Sequence, residues 1–382
     1  MNNKFNLKKR FAILIFAVLS FVFAFSGCSE ISGNITNAVV GNAELSDDNL
    51  QVHFISVGQG DSELIKLPTG ENVLIDSGDT YAAETLLSYL REQGVEEIDM
   101  AVATHPHSDH IGSMQKVIEN FKVDKILMPD RDYDSLVYTN LLYSIDENNV
   151  ERIVAKYGDE FDEGNAHFEI LGPIKEYDEV NDSSVVLMMT YGDNKFLFTG
   201  DQESDAEKDV ISMGYDLNAD VLKVGHHGSN TSSCQEFIDA VRPSIAVIEV
   251  GEGNKYGLPK DDIIMRIARS GATVYRTDKS GNIVVSSDGK KLYVRTDDSL
   301  DSMMGLDEEY SESSESDVSV ENETSKETSQ TPVENGYIGN KNSKVYHSLS
   351  CGSLPSEKNR IEFSTKEEAE SQGYTPHSKC IK

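Results

Sequence analysis

The chain has 382 residues, a hydrophobic fraction of 38 % and a formal net charge of −32. That length carries one large domain or two ordinary ones, and a mean hydropathy of −0.41 requires substantial polar material beside the core. Residues 50–297 alone carry −23, which excludes a broad electrostatic grip on nucleic acid.

Lys4, Lys8, Lys9 and Arg10 form a basic leader, and Phe11 to Phe25 is a run of fifteen residues, apolar except for Ser20. Such a run is short for a membrane span and suits the core of a signal peptide. It ends in Phe-Ser-Gly-Cys, which resembles the lipobox of bacterial lipoproteins. The resemblance implies cleavage before Cys28 and lipid attachment to its thiol. The protein is then exported and held at the outer face of the membrane, and residues 29–49 read as its tether.

Strand-like runs follow at 51–57, 62–67 and 72–76, then a helix over 81–92 with Leu86, Leu87 and Leu90 at helical spacing. An apolar run at 98–103 reads as a buried strand, 111–121 as a helix and 124–128 as a strand. A looser region spans 130–165. Strands are expected at 167–171, 184–190, 196–199 and 219–224, with a helix at 203–213. Beyond these, helices at 235–241 and 261–269 alternate with strands at 245–250, 273–276, 282–286 and 291–295. Strand blocks punctuated by helices point to layered sheets covered by helices, an α/β fold. Residues 298–334 carry −11 and almost no aromatics, so they read as an acidic disordered linker. Residues 335–382 form a last module, too small to rely on its own core and in need of a staple.

His105, His107, Asp109 and His110 fall within six residues on the loop after the apolar run. Side chains crowded onto a strand-end loop can converge on one point, whereas along a strand they would alternate faces. Imidazole together with carboxylate suits zinc, manganese or iron. Other strand edges add donors: Asn181 before Val-Val-Leu, Asp201 ending Phe-Leu-Phe-Thr-Gly-Asp, and His226 and His227 in Leu-Lys-Val-Gly-His-His-Gly-Ser. A carboxylate at such a rim can bridge two cations about 3.5–4 Å apart. Asp76 reads equally as a carboxylate that orients a ligand and as a strand-end turn. Cys234 reads as a small buried residue.

The runs VHFISVGQGDSELIKLP (52–68), NVLIDSG (72–78), THPHSDHIGSM (104–114), NDSSVVL (181–187), FLFTGD (196–201), LKVGHHGS (222–229) and VYRTDKSGNIVV (274–285) together resemble the metallo-β-lactamase fold hydrolases. GQGD at 58–61 and HHGS at 226–229 narrow the resemblance to the hydrolase domain of ComEC-type DNA-uptake proteins. It implies an αββα sandwich over residues 50–297 and two divalent metals, zinc or manganese. His105 and His107 would hold one, Asp109, His110 and His226 the other, with Asp201 between them. Asp109 doubles as a catalytic residue.

Two departures from the pattern stand out. Asn181 occupies the place where the wider superfamily has a third histidine for the first metal, so the site would use Asn181 or Asp182. Leu258 stands where ComEC-like sequences often carry a histidine, which makes His227 the expected proton-transfer group. Asp61 and Gln59 lie in a glycine loop that can shape the pocket, Asp61 behind the ligands.

In the tail, His347-x3-Cys351 and His377-x2-Cys380 have the spacing of a four-coordinate structural zinc site. A Cys351–Cys380 disulfide is the competing reading. The tail resembles the small Ada-type metal-binding domain appended to exported hydrolases. The function expected is metal-assisted phosphodiester hydrolysis, with extracellular DNA or nucleotides as substrate. A lactonase or β-lactamase-like hydrolase is the alternative among enzymes, and a non-catalytic surface binding protein the alternative outside them. No protein partner is legible.

Overall fold

The computed structural model describes residues 46–297, 337–341, 344–348, 360–363, 366, 369 and 374–376. Cys28, Cys351, His377, Cys380 and the acidic segment 298–334 lie outside the described residues.

Strands β1 (Leu50–Phe54), β2 (Glu63–Lys66) and β3 (Asn72–Ile75) form an antiparallel meander. Helix α1 (Ala83–Glu92) buries Leu86, Leu87 and Leu90 and leads to β4 (Glu97–Val102). Two short helices, α2 (Ser108–Ile111) and α3 (Met114–Asn120), precede β5 (Lys122–Met128), and α4 (Leu136–Glu147) precedes β6 (Glu151–Val154). β3 to β6 run parallel, so the chain leaves β3, β4, β5 and β6 on one rim.

The second half repeats the design. β7 (Glu160–Glu163), β8 (Ala166–Gly172), β9 (Val186–Tyr191) and β10 (Asn194–Phe198) pair antiparallel. Past α5 (Ser204–Ser212), β11 (Val221–Lys223) joins β10 in parallel. Helix α6 (Gln235–Val241) leads to β12 (Ile245–Ile248), and α7 (Asp261–Arg269) to β13 (Thr273–Arg276), both parallel to β11. A single turn, α8 (Thr277–Ser280), then feeds the hairpin of β14 (Ile283–Ser287) and β15 (Leu292–Thr296), which pairs back onto β1.

The result is an eight-stranded sheet facing a seven-stranded one. Period-2 alternation builds the core between them. Phe54 from one sheet stacks on Phe198 from the other at 6.5 Å between ring centres, with Phe168, Phe196 and Val285 around them. Leu197, between the two phenylalanines, points the other way and packs with α5, α6 and α7. Helices α1, α3 and α4 cover the outer face of the first sheet. This is the αββα sandwich expected.

The region 130–165 is not loose. It holds α4, β6 and β7. Helix α4 buries Tyr138, Leu141 and Ile145, and the Ser135 hydroxyl accepts the Tyr138 N–H as its cap. β6 and β7 end their sheets and bury one residue between them, so their apolar pattern is too thin to read. The helix expected over 111–121 divides at Gly112, where a Cβ would lie 2.4 Å from the Ser108 carbonyl oxygen.

The described tail residues belong to a separate compact unit divided from the first after Tyr310. They include β16 (Tyr337–Asn340), β17 (Val345–Ser348), β18 (Arg360–Phe363) and β19 (Thr375–Pro376), in sheet order β18-β16-β17-β19. Tyr346, Phe363, Ala369 and Tyr374 form its small core, and His347 is buried.

Candidate metal centre

Every candidate donor of the hydrolase unit sits just beyond the end, or just before the start, of a buried apolar strand. β3 ends into Asp76, whose buried carboxylate accepts the Thr104 N–H at 2.8 Å, the Thr104 hydroxyl at 2.6 Å and His110 Nδ1 at 2.7 Å. One carboxylate therefore ties the loop after β4 to the loop after β3 and fixes the His110 ring. The contact with His110 Nδ1 is the one that an orienting role for Asp76 would use.

The glycine loop at 58–61 packs against the same turn. Asp61 N donates to the Asp109 carbonyl at 3.2 Å, and a Cβ on Gly60, whose φ is +141°, would lie 2.2 Å from that oxygen. Only glycine permits this approach. Asp61 itself is buried, pairs with Lys223 and contacts His227 Nδ1 at 3.0 Å. Gln59 lines the cavity in front, its side-chain oxygen accepting the Gly251 N–H at 3.3 Å.

The donors converge on Asp201. Its Oδ2 lies 3.2 Å from His110 Nε2, 3.5 Å from His227 Nε2, 3.8 Å from His226 Nε2 and 3.9 Å from His105 Nε2. His105 Nε2 and His107 Nδ1 are 3.0 Å apart and face each other. Asp109 Oδ2 lies 3.5 Å from His227 Nε2. Four buried polar atoms in this knot have no hydrogen-bond partner: His110 Nε2, His227 Nε2, Asp201 Oδ1 and Asn181 Oδ1. Orphaned buried donors and acceptors are costly. Lone pairs gathered at this spacing, from imidazole, carboxylate and amide, fit a divalent cation.

The partition of the two adjacent histidines differs from the expected one. His227 joins Asp109 and His110, while His226 lies 25 % exposed with its Nδ1 3.0 Å from both Glu203 Oε1 and Thr231 Oγ1. The backbone explains the exchange. Both histidines have left-handed φ/ψ, at (47°, 47°) and (51°, 29°), so the chain coils back and turns the second ring inward. Two such non-glycine residues cost about 1–2 kcal/mol each and mark strain kept at a functional turn. Asn181 Nδ2 is held by Glu203 Oε1 at 3.2 Å. Asp182 instead accepts the Glu203 N–H at 2.9 Å. Leu258 lines the cavity, so an apolar wall stands at that position.

The electrostatics follow from burial and carboxylates. Desolvation, then the neighbouring His110, holds His105 well below the ordinary histidine range, and desolvation lowers His107 too. Burial would also lower His227, but Asp201 and Asp61 override it and raise it to about 10. The same balance, with Asp201, Asp76 and Asp61, puts His110 well above its usual value. Burial opposes ionisation of Asp201, yet the charges of His110 and His227 hold it well below the carboxylate range. The carboxylates thus favour the charged form of both rings, and a metal cation can supply that positive charge instead.

Three buried residues behind the site went unread in the sequence. Lys223 is fully buried and donates to Asp61 and, at 3.0 Å, to the Val224 carbonyl. Glu249 gives its carbonyl to His227 Nδ1 at 3.0 Å and a carboxylate oxygen to Ser62 N–H at 3.1 Å. Burial, then Asp61, raises Glu63 to about 8. A lysine inside the apolar run Val-Leu-Lys-Val was the available signal, since lysine is buried only when paired.

The cavity in front of the knot, about 420 Å3, is lined by His107, Asp109, Tyr133, Asn181, Tyr256 and Leu258 among others. Residues 55–251 match the family model described as the metallo-beta-lactamase superfamily. ComE operon protein 3 of Bacillus subtilis is 32 % identical over 251 residues, covering 61 % of this chain and 32 % of its own length. Competence protein ComA of Neisseria gonorrhoeae is 32 % identical over 230 residues, covering 59 % and 30 %. The chain thus spans about a third of the length of these relatives. The solved structure of the metallo-beta-lactamase fold protein YhfI from Bacillus subtilis aligns with 59 % of this chain and 95 % of its own, at 13 % identity and a TM-score of 0.40.

Proposed function

The chain belongs to the metallo-beta-lactamase superfamily, and we propose that it is a binuclear metallohydrolase that cleaves phosphodiesters. The observation that carries the reading is the set of unpartnered polar atoms around Asp201. In this reading His105, His107 and Asn181 would hold one divalent cation and Asp109, His110 and His227 the other, with Asp201 within reach of both sets. Such cations supply Lewis acidity and lower the pKa of a water. The chain's own residues do the rest. Asp76 and Asp61 fix the ring orientations of His110 and His227 through their Nδ1 atoms. In this reading His226, which contacts Glu203 and lines the cavity, hands a proton to the leaving oxygen. It does so in place of His227, the residue expected from the sequence, which is buried among the candidate ligands. Leu258 and Tyr133 line the same cavity.

Similarity to competence proteins supports a phosphodiester substrate over a lactone or β-lactam. The basic leader and the Phe-Ser-Gly-Cys run support export with lipid attachment at Cys28. Among the described residues no helix is long and apolar enough to cross a membrane. We assign the tail as an Ada-like module stapled by zinc through His347, Cys351, His377 and Cys380, on their spacing alone. The test of the hydrolase reading is cleavage of bis(p-nitrophenyl) phosphate and of single-stranded DNA with manganese or zinc. Activity lost in His105→Ala and Asp109→Ala supports it; variants as active as the wild type overturn it.

A further inference from the structure

A second cavity, of about 610 Å3, is lined by residues adjacent in sequence to those of the metal cavity. In the loop after β5, Arg131 and Asp132 line this cavity while Tyr133 lines the metal cavity. In the single turn before β9, Ser183 lines it while Asn181 lines the metal cavity. The far wall follows β6. Parallel strands are about 4.8 Å apart, so that wall stands roughly two strand spacings, about 10 Å, from the strand end that delivers His105 and His107.

Tyr157 and Tyr177 line the cavity. The Tyr157 ring is braced edge-on by Tyr215 at 5.7 Å. The Tyr177 hydroxyl donates to Asp209 at 3.0 Å, and Arg131 clamps the loop by donating to the Tyr177 and Asp178 carbonyls. Arg131 and Lys175 are spent on such contacts, Lys175 pairing with Asp209 at 2.6 Å. Lys156 is exposed on the wall and enters no ion pair among the described residues. Carboxylates at Asp130, Asp132 and Glu176 keep the cavity from holding a run of phosphates. Two fixed aromatic rings and one available cation fit one base and one phosphate.

We infer that this second cavity seats one unstacked nucleobase of a single-stranded nucleic acid whose adjoining phosphodiester occupies the metal cavity. The inference rests on the phosphodiesterase reading and deepens it. It explains how a segment carrying −23 can engage nucleic acid without a basic face: stacking supplies about 1–3 kcal/mol per base whatever the net charge. One phosphate contact gives a shallow salt dependence, a log–log slope of about −0.7.

The test has two arms on the full-length protein. In the first, chelator-treated protein is titrated with deoxyadenosine monophosphate and with deoxyribose 5-phosphate, read by saturation-transfer NMR. Preferential binding of the nucleotide, lost in Tyr157→Ala and Tyr177→Ala and kept in Tyr157→Phe, supports the subsite. Equal binding of both ligands, or no effect of either alanine, overturns it. In the second arm, with manganese, the ratio of kcat/KM for a tetra-adenine strand to that for bis(p-nitrophenyl) phosphate falls about 5- to 150-fold in the alanine variants. An unchanged ratio also overturns the subsite. If the wild type cleaves neither ester, the phosphodiesterase reading fails, and the metal-free titration still decides the cavity.

Discussion

Replacing Lys223 with methionine removes the buried ammonium that pairs with Asp61 and leaves His227 as the nearest cationic neighbour of that carboxylate. Lys223 is 0 % exposed and Asp61 1 %, so neither charge is screened by water. Burial, then the charges around them, raises Glu63 to about 8, so it is largely protonated at neutral pH, and lifts Glu249 well above its usual value. Lys223 and Asp61 are left as the ionised pair, and breaking such a pair from one side costs about 3–5 kcal/mol. For a domain of this size each kcal/mol moves the melting temperature by about 2–4 °C, so Lys223→Met melts about 6–20 °C lower. The measurement is a thermal melt in chelator, to keep metal binding out of the comparison. The double variant Lys223→Met/Asp61→Asn removes both members of the pair and regains most of the loss. If the double variant is destabilised by the sum of the two single effects, the pair is not coupled and the reasoning is wrong.

Three further outcomes follow from the same geometry. Asp76→Asn, which weakens the grip on His110 Nδ1, lowers metal affinity about 10- to 100-fold, measured by chelator competition; unchanged affinity contradicts its orienting role. His227→Ala loses one equivalent of bound metal by elemental analysis, whereas His226→Ala keeps its metal and loses hydrolysis of the ester with the poorer leaving group; the reverse pattern restores the partition first expected. Glu207 is raised from 4.5 to about 7, mainly by burial, although it accepts the Ser233 and Cys234 N–H groups. Its folded form holds the proton more tightly than the unfolded chain between those values, so stability falls as pH rises through that window, by about 3 kcal/mol at most. Glu207→Gln flattens this slope in urea titrations at pH 5 and pH 8, and an equal slope in both proteins rules the assignment out.

Most of the fold was legible because strands buried on both faces leave long apolar runs. Asp76, His105, Asp201 and His226 each follow an apolar strand within three residues, while Asp109 and His110 ride on α2. What escaped the sequence escaped for physical reasons. β6 and β7 bury too little to show a period, and α4 carries Thr139 and Asn140 amid its apolar residues. His226 and His227 are chemically identical neighbours, and only the left-handed turn decides which ring faces Asp109. Lys223, Glu63 and Glu249 lie on three different strands or their ends, so their convergence behind Asp61 is a property of strand order, not of spacing. The glycine loop is an intermediate case. GQGD marked the branch of the family, but its work, letting Asp61 reach His227, appears only when Gly60 is seen against the Asp109 carbonyl.

A two-cation centre organised on Asp201 is what the proposed hydrolysis requires. The decisive measurement is the metal content of the purified hydrolase unit, residues 45–297, beside its Asp201→Ala variant. Two equivalents of zinc or manganese are expected in the wild type and at most one in the variant, with phosphodiester cleavage lost. A folded wild-type unit that binds no divalent metal, or a variant that keeps both equivalents, contradicts the two-cation centre.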